Sequence, residues 1–100
     1  MKKSESTLRR EIEAIKRKLA ALGDMRPGSV TIQSRKWGGE YCQLSYTHRG
    51  KGHTEYIPQK SRKAVERQTA NCRRFRELIQ KWIDAGIELC KIKLRETDEK

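Results

Sequence analysis

Basic and aromatic side chains flank two glycine-containing turns in the middle of this chain, and such side chains can bind a polyanion. The residues concerned are Arg35, Lys36, Trp37, Tyr41, His48, Arg49 and Lys51. Arginine and lysine bind phosphate oxygens, and aromatic rings stack on bases. A small antiparallel sheet can also enter the major groove of DNA. The pattern therefore predicts nucleic-acid contact at these turns, and the alternative is a solvated hairpin with ordinary surface charge.

A second group of basic residues lies in a segment with the apolar spacing of a long helix. Its members are Arg62, Lys63, Arg67, Arg73 and Arg74, with Arg76 after them. At 100° per residue they form two neighbouring rows, largely opposite an apolar stripe that runs from Val65 to Trp82. Because the guanidinium fork suits phosphate, this arc also favours nucleic-acid contact. The alternative is a solvated helix with ion pairs such as Arg73–Glu77.

The charge of the chain is distributed unevenly. The net charge is +11 over 100 residues, and the last 20 residues, with five basic and five acidic side chains, contribute nothing to it. Like charge concentrated in a small domain opposes compaction, so such an excess is typical of proteins with a polyanionic partner. Charge alone does not separate DNA from RNA.

No residue spacing in the sequence is typical of catalysis or of a cofactor. Glu40 and Glu55 are isolated acids, and there is no Ser-His-Asp or Cys-His pattern and no phosphate-binding glycine loop. His48 and His53, with Cys42 nearby, invite a zinc hypothesis, but a zinc site needs three or four converging ligands and no fourth is evident. We therefore expect no enzymatic activity, no cofactor and no metal site.

The cysteine count and the hydropathy bear on the compartment. Three cysteines without a C-x-x-C spacing are expected to be free thiols, packed as small apolar groups. No apolar run is long enough to span a bilayer, and the N-terminus lacks a signal-peptide hydrophobic region. These features predict a cytoplasmic protein that does not contact membranes.

The apolar spacing predicts an α+β fold with a single domain at 1–100. Apolar residues spaced 4-3-4-3 predict a helix at 7–22, three short strands predict an antiparallel meander at 29–57, and a final stripe predicts a long helix at 61–95. Because a helix this long exceeds the usual globular length, we expect the helices to pair in a homodimer or larger assembly.

Alternation in the second strand predicts its two faces. Cys42, Leu44 and Tyr46 share one face, which should pack on the helices. The other face is expected to contact solvent or a ligand, and it comprises Tyr41, Gln43, Ser45 and Thr47.

The chain carries YCQLSYT at 41–47, followed by Gly50-Lys51, HTEYI at 53–57 and NCRRFREL at 71–78. These segments resemble a family of small uncharacterised prokaryotic proteins with the pattern PYYQLSYT…GK…NYRRFREL and a Trp-containing helix, and the resemblance covers about residues 6–95. The resemblance implies the same order of helix, small sheet and long helix. Many relatives carry a cysteine-rich stretch before PYY; residues 34–39 replace it here without cysteine, so a metal role of the family does not transfer.

These observations together predict a small, basic, non-enzymatic protein that binds nucleic acid. Phosphates would be contacted by Arg and Lys of the sheet turns and of the basic helix. The alternative is a helical oligomerisation or interaction module, or an accessory subunit of a larger complex such as one associated with a mobile element. In that case the apolar stripes would hold the partner and the charge would serve solubility.

Overall fold

The computed structural model describes residues 3–36 and 38–98, and Trp37 lies outside them. In chain order the elements are α1 (Glu5–Ala20), β1 (Ser29–Arg35), β2 (Gly39–His48), β3 (Lys51–Ile57), a short 3-10 helix (Gln59–Ser61) and α2 (Arg62–Asp98). The predicted α+β fold, with an N-terminal helix, a three-stranded antiparallel sheet and a long C-terminal helix, is confirmed.

Some helices and strands begin or end at other residues than predicted, because local hydrogen bonds set their ends. α1 begins two residues earlier than predicted because the Ser4 hydroxyl caps it, accepting a hydrogen bond from the Thr7 N–H at 3.3 Å. β3 begins at Lys51, which pairs with His48 and leaves a turn of only two residues. α2 begins at Arg62, directly after the 3-10 helix, and extends to Asp98.

The chain forms two compact units, each with its own buried residues. The first comprises the described parts of Met1–Leu22 and Phe75–Lys100, and the second is Gly23–Arg74. In the first unit, α1 buries Leu8 and Ile15 against the C-terminal part of α2, where Leu78 and Ala85 are also buried. Helical spacing places each of these pairs on one face of its helix.

The second unit contains the sheet, whose strands lie in the order β1-β2-β3 with antiparallel pairing throughout. Its core consists of Cys42 and Leu44 from β2, Ile57 from β3 and Val65 from α2, with Val30 and Tyr46 packed against it. The prediction that Cys42, Leu44 and Tyr46 form the inner face of β2 is thereby confirmed. The alternating residues of β2, Tyr41, Gln43, Ser45 and Thr47, lie on the outer face of the sheet.

Within the second unit, hydrogen bonds from α2 and to α2 hold the segment that precedes β1. The Arg26 N–H donates to the Gln68 carbonyl at 3.2 Å, and the Asn71 amide donates to the Asp24 carbonyl at 2.8 Å. Gly28 has φ +131°, and a Cβ there would lie 2.8 Å from Leu44 Cδ1. Glycine at this position therefore lets the chain pass directly over the core of the sheet.

No helix within residues 3–36 and 38–98 is both long enough and apolar enough to cross a bilayer.

Candidate nucleic-acid interface

The outer face of the sheet carries mainly polar and aromatic side chains. Strand alternation and the cross-strand pairs place on it Thr31, Gln33, Tyr41, Gln43, Ser45, Thr47, Thr54 and Tyr56. Their side chains are exposed or half-buried. Among the strand residues whose side chains the structure describes, none on this face is charged. The face therefore offers hydrogen-bond donors, acceptors and rings, and such groups can contact base edges and stack on bases.

Two tyrosines form an aromatic pair on this outer face. The ring centroids of Tyr41 and Tyr56 lie 6.3 Å apart with an interplanar angle of 28°. Tyr56 is opposite Gln43, so the two rings are diagonal neighbours on β2 and β3. The Tyr56 side chain is 60% exposed. The two rings therefore stack on each other, and much of the Tyr56 ring stays exposed to solvent.

Two long hydrogen bonds link the polar residues of the outer face of β1. Gln33 Nε2 donates to Thr31 Oγ1 at 3.4 Å, and Thr31 Oγ1 donates to the Gln43 carbonyl, also at 3.4 Å. These distances are beyond the usual range for such bonds, so the side chains are held weakly. A ligand could replace these contacts at little cost in free energy.

The predicted basic residues of the turns lie at opposite ends of the sheet. Arg35 ends β1, and the exposed Lys36 follows it in the first turn. His48, Arg49 and Lys51 surround the second turn, at the other end of β2. β2 has 10 residues, and at about 3.3 Å per residue it separates the turns by roughly 30 Å. The two basic groups therefore lie at the two ends of the sheet and do not form one patch. By strand alternation His48 and Lys51 have the parity of the inner face.

Arg49 occupies a backbone conformation that is uncommon for its residue type. Its φ is +51° and that of Gly50 is +80°. Positive φ at both central residues of a two-residue hairpin is the type I′ turn, in which Asn, Asp and Gly are preferred. An arginine here costs stability, and its exposed side chain extends from the tip of the hairpin. Such local strain is common at functional positions.

The two histidines do not face each other across the strands. His48 pairs with Lys51, whereas His53 pairs with Tyr46, and the His53 and Tyr46 rings stack at 4.8 Å with an interplanar angle of 19°. Cys42 is fully buried. In the part of the chain that the structure describes, no group of three or more His, Cys, Asp or Glu side chains could hold a metal ion.

The basic residues of α2 lie on a different side of the second unit from the outer face of the sheet. Val65, Thr69 and Cys72 are buried, and Val65 packs on the inner face of the sheet. At 100° per residue, the opposite side of the helix carries three exposed basic residues. They are Lys63, Arg67 and Arg74. The structure thus does not bring them together with the basic residues of the turns, although both groups were predicted to contact phosphates.

The other two basic residues of this part of α2 lie beside acidic or polar neighbours. Arg62 Nε donates to Glu66 Oε1 at 2.9 Å, and this bond raises the pKa of Arg62. Arg73 lines a shallow depression with Glu66, Thr69 and the first residues of β1. Within the predicted basic arc, Arg62 therefore has an acidic partner, whereas Lys63, Arg67, Arg73 and Arg74 are exposed.

A network on the inner face, not predicted from the sequence, orders the end of the sheet near the second turn. Arg26 Nη1 and Nη2 donate to the two carboxylate oxygens of Glu55 at 3.2 and 3.0 Å. The Tyr46 hydroxyl donates to Glu55 Oε1 at 3.0 Å, and the Arg26 guanidinium lies 5.0 Å from the centroid of the Tyr46 ring. These contacts tie the segment before β1 to β2 and β3.

The network alters the protonation of its members in consistent directions. The hydrogen bonds from Arg26 and then from Tyr46 hold the pKa of Glu55 below its ordinary value. The bond to Glu55 raises the pKa of Arg26 and that of Tyr46. A sequence signal existed: Glu55 is two residues before the buried Ile57, so strand alternation places it on the inner face, where a carboxylate needs a partner.

Comparison with known proteins gives no match to any family model, any curated protein or any solved structure. The resemblance to a prokaryotic family therefore stays a prediction, and the site is interpreted from its own geometry.

Proposed function

We propose that the protein binds nucleic acid, without enzymatic activity, through the outer face of its sheet and the basic residues at the two ends of the sheet. The observation that carries the proposal is the order along β2: basic turn, tyrosine pair, uncharged hydrogen-bonding side chains, basic turn. A sheet face that served only solubility would more often carry charge among its exposed positions.

The proposed division of labour follows from the chemistry of the two partners. Lysine and arginine at the turns bind phosphates and hold the nucleic acid along the sheet. The glutamine, serine and threonine side chains between them hydrogen-bond base edges, and the tyrosine pair stacks on a base. Lys63 and Arg67 are on the far side of α2, so in this proposal they attract the polyanion from a distance or bind a second segment.

The proposal is tested by fluorescence anisotropy with random duplex and single-stranded DNA and RNA. With about four phosphate contacts to a duplex, affinity should fall about a hundredfold between roughly 50 and 200 mM salt. Binding that is insensitive to salt, or no binding to any of the four pools at the lower salt, would refute it.

Two charge-reversal variants with the same change in net charge test where the site lies. Lys36→Glu with Lys51→Glu changes the two ends of the sheet, and Lys63→Glu with Arg67→Glu changes the far side of α2. The first pair should weaken binding and flatten the salt dependence clearly more than the second. If the second pair alone removes binding, the interface is on the helix and not on the sheet.

A further inference from the structure

α2 carries a partly exposed apolar stripe in the first compact unit. Ile83, Ile87 and Leu94 are 49%, 51% and 59% exposed, and Cys90 is the exposed one of the three free cysteines. These four residues are called the α2 stripe below. Exposed apolar side chains in a row are typical of a protein–protein contact.

The α2 stripe has the spacing of a coiled-coil seam. Its members are separated by four, three and four residues, which is the repeat of alternating d and a positions. At 100° per residue the stripe lies well away from Leu78 and Ala85, which are buried on another face of the same helix. α1 packs on that other face, where Ala85 lines a groove with Leu8 and Ile15. The α2 stripe is therefore available to a second helix.

We propose that the α2 stripe pairs antiparallel with the α2 stripe of a second copy of this chain. In this arrangement Ile83 packs opposite Leu94 of the second copy, and Ile87 packs opposite Cys90 of the second copy. A two-fold axis perpendicular to the helices relates the copies, so each contact occurs twice. The inference is independent of nucleic-acid binding, because the stripe lies in the unit that lacks the sheet.

Charge complementarity selects a second copy as the occupant and antiparallel as the orientation. One edge of the stripe carries Asp84 and Lys91 at equivalent heptad positions. Asp84 also lines the groove with α1, together with Lys18 and Lys81. An antiparallel pair places this edge against itself, so Asp84 meets Lys91 of the second copy and Lys91 meets Asp84 of the second copy. Complementary charges beside the seam are what determine partner and orientation in coiled coils.

The other orientation lacks this match. A parallel pair brings Lys91 beside Gly86 of the second copy and leaves Asp84 beside Ile79, so neither charge gains a partner. The opposite edge of the stripe carries Gly86 and Lys93, which meet each other in the antiparallel arrangement without like-charge contact. Asp84 and Lys91 are seven residues apart, about 10 Å along the helix, and do not pair within one chain.

Sedimentation equilibrium over a range of concentrations tests the pairing. The wild type should pass from monomer to dimer as its concentration rises, and Ile87→Asp should stay monomeric. The matched control is Ile32→Asp, which makes the same replacement at an isoleucine that is 42% exposed on the sheet. It should dimerise as the wild type does. Circular dichroism shows whether each variant keeps its helices.

A charge exchange tests the orientation. Asp84→Lys and Lys91→Glu should each weaken dimerisation, and the double variant should restore it, because the exchanged charges meet again only in the antiparallel pair. Failure of the double variant to restore dimerisation overturns the antiparallel arrangement.

The Cys90 thiol provides a second readout that needs no substitution. Its labelling by a thiol reagent, located by mass spectrometry, should slow as protein concentration rises, while Cys42 and Cys72 stay buried and slow throughout. A monomer at every concentration with a constant Cys90 labelling rate overturns self-pairing.

Discussion

The Arg26 guanidinium is joined to the Glu55 carboxylate by two hydrogen bonds of 3.2 and 3.0 Å. The pair connects a segment before the first strand to the last strand, and both side chains are half-buried. Two parallel bonds of this kind fix geometry as well as charge. The pair therefore holds the segment before β1 to the sheet, and its contribution to stability can be measured.

Glu55→Gln should lower the melting temperature near neutral pH, because Arg26 loses its charged partner. The pKa of Glu55 in the folded protein lies below its ordinary 4.5. The stabilisation is thus fully present above pH 4.5 and is lost as the pH falls through the lower, folded-state pKa. Thermal unfolding followed by circular dichroism should show the two proteins converging in acid. Glu40→Gln, at an exposed carboxylate of β2, should melt as the wild type does; a pH-independent difference for Glu55→Gln would contradict the assignment.

Gly28→Ala should destabilise the protein by about 2–4 kcal/mol, since the new methyl meets packed atoms in a backbone conformation that alanine disfavours. The added Cβ would lie 2.8 Å from Leu44 Cδ1 and 2.9 Å from the Ser45 carbonyl oxygen. Gly52→Ala is the control, because a Cβ there meets nothing within 4 Å. Urea unfolding gives the free energy of unfolding of both variants. Equal losses of stability at the two glycines would contradict the packing of the segment before β1 over the sheet.

Arg49→Gly should stabilise the second hairpin by about 0.5–1 kcal/mol and weaken nucleic-acid binding at the same time. Glycine adopts the positive φ of +51° without steric cost, whereas the phosphate contact of the side chain is lost. Urea unfolding and anisotropy titrations give the two values. Lys60→Ala removes one charge away from the sheet face and should change binding less. If Arg49→Gly leaves affinity intact, the hairpin tip does not contact the ligand.

Tyr56→Val should reduce the affinity for single-stranded nucleic acid at least about tenfold, the loss expected when one stacked base is released. Valine keeps the β propensity of the position, so the strand should persist. Tyr56→Phe keeps the ring and should bind as the wild type does. If both variants bind equally, the tyrosine pair only stabilises the sheet.

Gly86→Ala should raise the stability of the chain by about 0.5–1 kcal/mol, because glycine is unfavourable inside a helix. A Cβ at Gly86 meets nothing within 4 Å. In the antiparallel pair Gly86 is at the edge of the seam, so dimerisation should survive the change. A loss of dimerisation would mean that the helices cross closely at this glycine.

Sequence periodicity was sufficient to predict the helices, the strands and the inner face of β2, because the apolar side chains of Cys42, Leu44 and Val65 must be buried together. It was insufficient for the relation between the two basic groups. Both groups are near in sequence to the sheet, but Val65 fixes which side of α2 packs on the strands, and Lys63 and Arg67 are then directed away from them.

Individual polar contacts were also beyond the sequence pattern. Arg26 and Glu55 are 29 residues apart, and nothing in a local pattern pairs them. The outer face was half predicted: alternation identified Tyr41 and Gln43 on β2, whereas their neighbours on β1 and β3, such as Thr31 and Tyr56, follow only from the observed register.

Within the described residues β1 and β3 are the edge strands of the sheet, and each has one row of backbone donors and acceptors that pairs with no other strand. Such rows invite sheets of neighbouring molecules to join edge to edge. Lys36 follows β1 and Lys51 begins β3, and the chain has a net charge of +11. These charges make the approach of two such edges repulsive. Salt screens this repulsion as it screens phosphate binding, so concentrated stocks of the free protein should stay clear at low ionic strength and turn turbid as salt is added.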